Sequence, residues 1–479
     1  MHKLILYGSG RRCERICKML KQTNIEITAV LDSSCEKWGK TVEGCLIEAP
    51  EKICNFDGAY LCITVADADA ANMIRKELQE KYHYNLEREV NYNELVLEAY
   101  EKNVWIREQI LSENIDCNRD EAVLFSLKSG FILGGIEEWT TGLCEAMIKS
   151  GRKQTYVIAK EGDYHVPELL KTHMVLIDMS SPVQFSTDSV LNICKAILRK
   201  LPCKIITTQP DEIMLAAYLV KCCYPDLVEI ISTIRGGQEQ IYEAYMDFRK
   251  CPDLYIGVSQ DIRRSMIQRG IAPEKILTMC VPFACEKVLK RTYTTNEALP
   301  VKIGYAGRME KIQKRMDLLL KLFARLDEKK IDFEAELAGD GPMREEMEEF
   351  VCSNHLESKV KFLGRIQRSE IPAFWKKQDI CVNIADYEGR SHSIIEAMGN
   401  GAVPVVTDTS GVRDDIVDGI NGYVVPLGDY SAMADKIAYL VKNRERLLEM
   451  GKAAHDEVYP KSRMEDHLRF WETVFSRRK

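Results

Sequence analysis

Glu388-Gly-Arg-Ser-His-Ser-Ile-Ile-Glu396, running on as Ala-Met-Gly-Asn-Gly401, is the stretch on which the fold is decided. Two carboxylates stand eight positions apart, separated by a short polar turn and the apolar start of a helix. Small hydroxyl residues at Ser391 and Ser393 are suited to cap the first N–H groups of that helix. Gly399 and Gly401 fall where a left-handed C-terminal cap belongs. A helix rises ~1.5 Å per residue, so Glu396 lies about 5–8 Å inside the N-terminus. Before the stretch, Ile380-Cys-Val-Asn-Ile384 is an apolar run of strand length, and Val403-Pro-Val-Val406 follows as another. Strand, loop, helix and strand make a βαβ unit, whose ligands sit beyond the carboxyl ends of its strands. An anion such as a diphosphate fits the helix start at Arg390, Ser391, His392 and Ser393. A ribose would then reach Glu396, and Glu388 would face what the far side of the diphosphate carries. Two glutamates at this spacing also arise by chance; the strand–helix–strand context gives them a site.

The chain has 479 residues, of which 46% are apolar and 29% charged, a soluble globular composition with room for three domains. A net charge of −7 argues against a general nucleic-acid binder. No apolar run reaches the ~18 residues of a membrane span. The first residues, Met-His-Lys-Leu-Ile-Leu-Tyr-Gly, enter a strand at once and do not read as a signal peptide. Seventeen cysteines without a C-x2-C pair point to buried, reduced thiols in the cytoplasm, with Cys222-Cys223 expected in the core.

From the N-terminus, Lys3–Gly8 is a strand, and Gly8-Ser-Gly10 turns into a helix that runs to about Gln22. Glu26–Asp32 is a second strand ending in an acid. This resembles a dinucleotide-binding opening, with Cys13 where the third glycine would stand. A packing-only turn is the alternative. Asp67-Ala-Asp69 has the spacing of a metal motif but is better placed to cap the following helix. Residues 87–114 have a charged helical pattern. Strand-like runs at Ala122–Leu127, Gln154–Ala159, Met174–Ile177, Lys204–Thr208, Val228–Ser232 and Leu254–Val258 alternate with helical runs, predicting a parallel sheet. Gly134-Gly135 would let a backbone approach a ligand closely or make a flexible turn. Arg235 ends one strand beside two glycines and is a candidate phosphate or substrate contact.

A polar stretch at 294–300 separates these runs from a third α/β region. There Gly307-Arg308 and Lys314 lie between a strand and a helix, where a fork of donors and a point charge can hold a diphosphate. The alternative is a solvated basic face. The Arg365-Ile366 loop is a candidate for reading a nucleobase edge. Asp418-Gly-Ile-Asn421-Gly422 predicts a turn of type I′ between short strands.

The order of parts from Ala122 onward resembles the retaining GT-B glycosyltransferases of family 4. Its carriers are Gly134-Gly135, Gly307-Arg308 with Lys314, Ala338-Gly-Asp-Gly-Pro342, Glu388 with Glu396, Ala397–Val406 and Asp418–Gly422. The resemblance implies an α/β, GT-B fold of two facing Rossmann-like domains, with a small third Rossmann-like domain in front. The implied division is an accessory domain at 1–88, a helical linker at 89–118, catalytic domains at 119–295 and 296–458, and a final segment at 459–479 crossing back. It also implies Arg308 and Lys314 on the diphosphate, Glu396 on the ribose and Glu388 on the donor sugar. Gly134, Gly135, Arg235, Gly307, Arg365, Ile366, Arg390, Ser391, His392 and Ser393 complete the donor site. Two places depart from the pattern: Arg235 stands where the family often has His, and Val281-Pro-Phe-Ala-Cys-Glu286 replaces the usual Asn-Gly-Val-Asp segment.

The expected partners are a nucleotide sugar and a glycan or lipid-linked acceptor, with no nucleic acid, no cofactor and no metal. Lys149, Arg152 and Lys153 cluster as either a peripheral contact with the inner membrane face or a solvated turn. Three rivals remain: a glycoside hydrolase using the two glutamates, a nucleotide-sugar epimerase, and an inactive scaffold with a nucleotide-sensing first domain.

Overall fold

The computed structural model describes every residue except 1–2, 22, 24, 57, 66, 117–118, 129–134, 163–165, 179–184 and 478–479, together with the side chain of residue 68. Three sheets carry the chain. The first is built from β1 (Lys3–Tyr7), β2 (Glu26–Leu31), β3 (Thr41–Val42), β4 (Cys45–Glu48) and β5 (Tyr60–Ile63), in the order β3-β4-β2-β1-β5. All its pairs are parallel except β3 with β4. The second holds β6 (Ala122–Leu127), β7 (Thr155–Lys160), β8 (Met174–Ile177), β9 (Cys203–Thr207), β10 (Val228–Ile234), β11 (Leu254–Gly257) and β12 (Ile276–Thr278). Their order is β12-β11-β10-β9-β6-β7-β8. The third holds β13 (Val301–Ala306), β14 (Phe333–Ala338), β15 (Val360–Gly364), β16 (Ile380–Asn383), β17 (Val403–Thr407) and β18 (Tyr423–Val425). It is parallel throughout, in the order β15-β14-β13-β16-β17-β18.

Most strand-like runs of the sequence form strands buried along their length, while the edge strand β8 buries only Ile177. β9 and β17 are buried at every position, as continuous Val/Ile-rich runs in a parallel sheet should be. The charged segment after the first sheet folds as two helices, Tyr92–Glu101 and Val104–Leu111, capped by Asn91 and Asn103 side chains. Asp67 accepts a hydrogen bond from the Ala70 N–H, so the D-x-D sequence caps the Ala68–Glu80 helix as its spacing predicts.

The chain divides into two compact units, Met1–Ser232 with Glu243–Leu254, and Thr233–Tyr242 with Tyr255–Lys479. In the second unit the third sheet is sealed by the Met316–Glu328 helix, which buries Met316, Leu319, Leu322, Phe323 and Leu326. On its other side the His392–Gly399 helix packs Ile394, Ile395 and Met398 against Val406, Val412 and Ile416. Burying each such side chain stabilises by roughly 1.5–3 kcal/mol, which fixes this short helix in place. Of the two glycines expected at a left-handed cap, Gly399 is still helical and Gly401 has φ +79; the N–H groups of Gly401 and Ala402 bond the carbonyls of Met398 and Ala397.

Two local expectations fail. A type I′ turn needs positive φ at both central residues, yet near Asn421-Gly422 only Gly419 has one. Buried Asn421 instead works through its side chain, accepting from the Val417 N–H at 2.8 Å and donating to the Asp415 carbonyl at 2.9 Å. β17 and β18 are parallel, so no hairpin turn is required between them. Cys222 is exposed at the end of the Glu212–Cys223 helix rather than in the core, and eight of the sixteen described cysteines are buried.

Candidate functional site

In the third sheet, β13 is flanked by β14 and β16, so the strand order reverses between β13 and β16. Ligands of doubly wound sheets bind in the crevice at this reversal. The loop after β13 carries Gly307, Arg308 and Lys314; the loop after β16 carries Glu388 and the helix start at Ser391. Both stretches singled out in the sequence therefore sit at the one place where the topology opens.

The first loop is held rigidly. The Gly307 N–H bonds the Ala338 carbonyl at 3.0 Å, and Met309 N–H bonds the Asp340 carbonyl at 2.9 Å. Tyr305 donates its hydroxyl to the Arg308 carbonyl at 2.8 Å. Gly339, at φ +138, lies so close to this loop that a Cβ would stand 1.9 Å from the Gly307 carbonyl oxygen. The second loop is tied to the first. Asp386 N–H bonds the Gln313 carbonyl at 2.9 Å, Gln313 donates its side-chain amide to the Tyr387 carbonyl at 3.1 Å, and Arg315 donates from Nη1 to both Asp386 carboxylate oxygens.

The charged groups meet across these ties. Lys314 Nζ lies 2.5 Å from Glu388 Oε1, and their side chains are 15% and 10% exposed. Arg308, by contrast, is 69% exposed, with its guanidinium near Glu310 and Gln313. Ser391 stands at the N-cap position of the His392–Gly399 helix, but its side chain makes no cap hydrogen bond, contrary to expectation. Its hydroxyl instead accepts from the Asn383 amide and pairs with Ser393, each at 3.2 Å. The capping preference lost to this network, so Ser391 leaves the first N–H groups of the helix without its cap. His392, half-buried on the first turn, is pushed down to about 3, first by burial and then by Arg235, Arg368, Arg390 and Lys314. It is a neutral imidazole at ordinary pH. Glu396 is half-buried one turn further on.

Arg235 follows β10, and its backbone abuts the focal turn: a Cβ on Gly389 would stand 1.9 Å from the Arg235 carbonyl oxygen. Gly411 also packs closely, its added Cβ 2.5 Å from the Gly389 carbonyl oxygen. Arg390 points elsewhere. Its guanidinium makes a bidentate pair with Asp415, at 2.8 and 2.6 Å, and both are buried. Arg365 is 71% exposed and 3.7 Å from Asp340, while Ile366 packs toward Phe374 and Trp375. Gly135 opens the Gly135–Lys149 helix, exposed; Gly134 lies outside the described residues.

Sequence reasoning missed Gln313, Arg315 and Asp386, which join the two loops, and Asp415, which claims Arg390. Arg315 has φ +51 ahead of a helix, a strained backbone for a side chain of its size, but nothing in the sequence marks that.

Residues 295–457 match the family described as glycosyl transferases group 1, and residues 1–90 match the family described as C2185-like, N-terminal. N-acetyl-alpha-D-glucosaminyl L-malate synthase of Bacillus anthracis is 24% identical over 279 residues, 54% of this chain and 71% of that protein. Poly(ribitol-phosphate) alpha-N-acetylglucosaminyltransferase of Staphylococcus aureus (strain COL) is 28% identical over 175 residues, 36% of this chain and 35% of its own length. Among solved structures, Anabaena HepE in complex with UDP and glucose aligns with a TM-score of 0.59 at 17% identity, covering 75% of this chain and all (100%) of that one. The lipopolysaccharide outer core galactosyltransferase WaaB, in its apo form, aligns at 0.59 with 17% identity over 74% of this chain and 99% of that one.

Proposed function

We propose that this GT-B glycosyltransferase, with its group 1 domain at residues 295–457, moves a hexose-type sugar from a nucleoside diphosphate to a hydroxyl acceptor and keeps the anomeric configuration. The observation that carries this reading is the meeting of Lys314, Glu388 and an N-terminal helix turn without a side-chain cap at the reversal of a doubly wound sheet. A diphosphate needs cations and N–H donors, and a sugar ring needs a carboxylate to accept from its hydroxyls. Both kinds of group stand here side by side.

As the C1–O bond to the diphosphate breaks, negative charge gathers on the leaving oxygen. Lys314, Arg308 and the helix N-terminus take up that charge, and the reading invokes no metal. The new C1–O bond forms on the face the diphosphate leaves, and the acceptor proton passes to a departing phosphate oxygen. Glu396 holds the ribose. Neutral His392 contributes an N–H donor rather than a charge.

The acceptor side rests on the comparisons alone: relatives named for N-acetylglucosaminyl transfer point toward polysaccharide or glycoconjugate synthesis. UDP-sugars are the first donors to test, since HepE was solved with UDP and glucose. A mass-spectrometric screen of UDP-, GDP- and dTDP-sugars against hydroxyl acceptors tests the reading. Mass gain on the acceptor with nucleoside diphosphate release supports it. A donor converted to its epimer without acceptor, or a glycoside cleaved without nucleotide, replaces it.

A further inference from the structure

In the first sheet, β1 is flanked by β2 and β5, so this sheet too has a reversal point, with the Gly8–Gly10 turn and Thr64 and Val65 beside it. A cavity of about 730 Å³ opens there. That is within the ~300–1,000 Å³ typical of small-molecule sites. Its lining includes Gly10, Arg11, Arg12 and Lys37 together with the apolar Val65, Met73 and Ile74.

Three features distinguish the cavity from an incidental gap. The ten-residue helix Arg11–Leu20 starts at its rim with no side-chain cap. Such a start attracts anions, and two arginines accompany it. The Tyr7 residue lines the cavity and is 1% exposed, yet its hydroxyl has no hydrogen-bond partner among the described residues. The hydroxyl lies among Ser33, Glu77 and Asp32, all of which also line the cavity; Ser33 is near without meeting bonding geometry. A buried hydroxyl left unsatisfied is destabilising, and a ligand atom in the cavity would satisfy it. Finally, Met73, 67% exposed, lines the cavity with Ile74 and Val65, which gives it apolar surface as well as charge.

Asp32, the acid expected to grip a ribose, is already engaged. It accepts from the Ser9 N–H at 2.8 Å, the Ser9 hydroxyl at 2.6 Å, the Ser34 N–H at 2.9 Å and Lys37 at 3.0 Å. It therefore clamps the glycine turn, and Cys13, buried where a third glycine would stand, packs the helix into the core. The glycine turn and the helix start remain for an anion, while Asp32 is occupied within the protein and the third glycine is replaced by Cys13.

We propose that this first domain carries its own site for a nucleoside phosphate, with the phosphate at the Arg11 helix start, the base against Met73 and Ile74, and Tyr7 bonding a polar atom of the ligand. The site is separate from the donor site and does not depend on it.

Isothermal titration of the full chain with UDP, UMP, GDP, AMP, CMP and inorganic phosphate tests this. Gly10→Glu sets a carboxylate at the cavity rim; Gly10 has φ −81 and ψ −167, and a Cβ there meets nothing within 4 Å, so the fold tolerates it. Tyr7→Phe removes only the hydroxyl. The expected result is a nucleotide whose binding survives Lys314→Ala, weakens at least tenfold with Gly10→Glu and weakens severalfold with Tyr7→Phe. The proposal is overturned if no nucleotide binds at millimolar concentration, if all binding is lost with Lys314→Ala and unmoved by Gly10→Glu, or if inorganic phosphate binds as tightly as every nucleotide. Failure of the donor reading shows differently, as undiminished sugar transfer by Lys314→Ala.

Discussion

Lys314 and Glu388, 74 residues apart in sequence, form an ion pair at 2.5 Å in which neither side chain is more than 15% exposed. A pair so far from solvent is poor value as a stabiliser, because desolvation offsets most of the attraction. Removing one partner, however, strands the other. Lys314→Met is expected to destabilise the chain by an amount approaching the ~3–5 kcal/mol seen for broken buried pairs, and Lys314→Met with Glu388→Leu to recover much of it. Urea denaturation measures both. Sugar transfer should stay lost in the double variant although stability returns; transfer at the wild-type rate in that variant would show that the pair only holds the loops together.

Arg308 is exposed, so its substitution separates function from folding. Arg308→Ala should leave the denaturation midpoint unchanged within about 0.5 kcal/mol, as surface changes do. Loss of one charged hydrogen bond to the leaving group, about 1.5–3 kcal/mol, should slow turnover tenfold or more. Steady-state kinetics with the donor found by screening gives the answer, and an unaltered kcat removes Arg308 from the site.

Arg390 was read from the sequence as a donor contact, and its bidentate pair with buried Asp415 gives a different expectation. Lysine cannot reproduce the planar fork. Arg390→Lys should therefore lower the denaturation midpoint by an amount worth more than 1 kcal/mol, on the order of a lost buried hydrogen bond, while the donor KM changes less than twofold. A donor KM raised tenfold with stability intact would return Arg390 to the donor site.

The contrast between these arginines shows what the sequence made legible. Strands buried on both faces, the βαβ frame and the Gly401 cap follow from short-range pattern, and all were read correctly. The placing of Lys314 beside Glu388 follows from topology, since both loops leave neighbouring strands at the sheet reversal. What was not legible depends on partners distant in sequence: Asp415 for Arg390, Asp386 for Arg315, and the Asn383 amide that draws the Ser391 hydroxyl away from its cap. At Asn421-Gly422 the reason is local: the Asn421 side chain, bonding Val417 and Asp415, closes the loop that its backbone was expected to turn.

Two histidines of the second unit give the chain a predictable response to acid. His392 and His467 are each pushed down to about 3, burial being the largest cause for both. His467 is buried and accepts from the Trp471 indole N–H at 3.3 Å, a bond that requires its Nε2 to be unprotonated. In the unfolded chain both would titrate near 6.5. Because the folded values lie below the unfolded ones, the unfolded state binds more protons, and stability falls as pH drops from about 6.5 toward 3. Above about 6.5 neither residue contributes any pH dependence. Urea midpoints taken from pH 8 to pH 4 should therefore carry, from each histidine, a decline of at most about 1.4 kcal/mol per pH unit below about 6.5, opposed between about pH 6 and 4 by Asp211 and Asp247, which burial pushes up to about 6. His392→Asn should shallow that decline without altering the midpoint's flatness above pH 7, since asparagine keeps a hydrogen-bonding side chain but cannot take up the proton. An acid limb as steep in His392→Asn as in the unmodified chain would mean that the imidazole is protonated in place at the helix start, where it would then add a positive charge to the proposed diphosphate site.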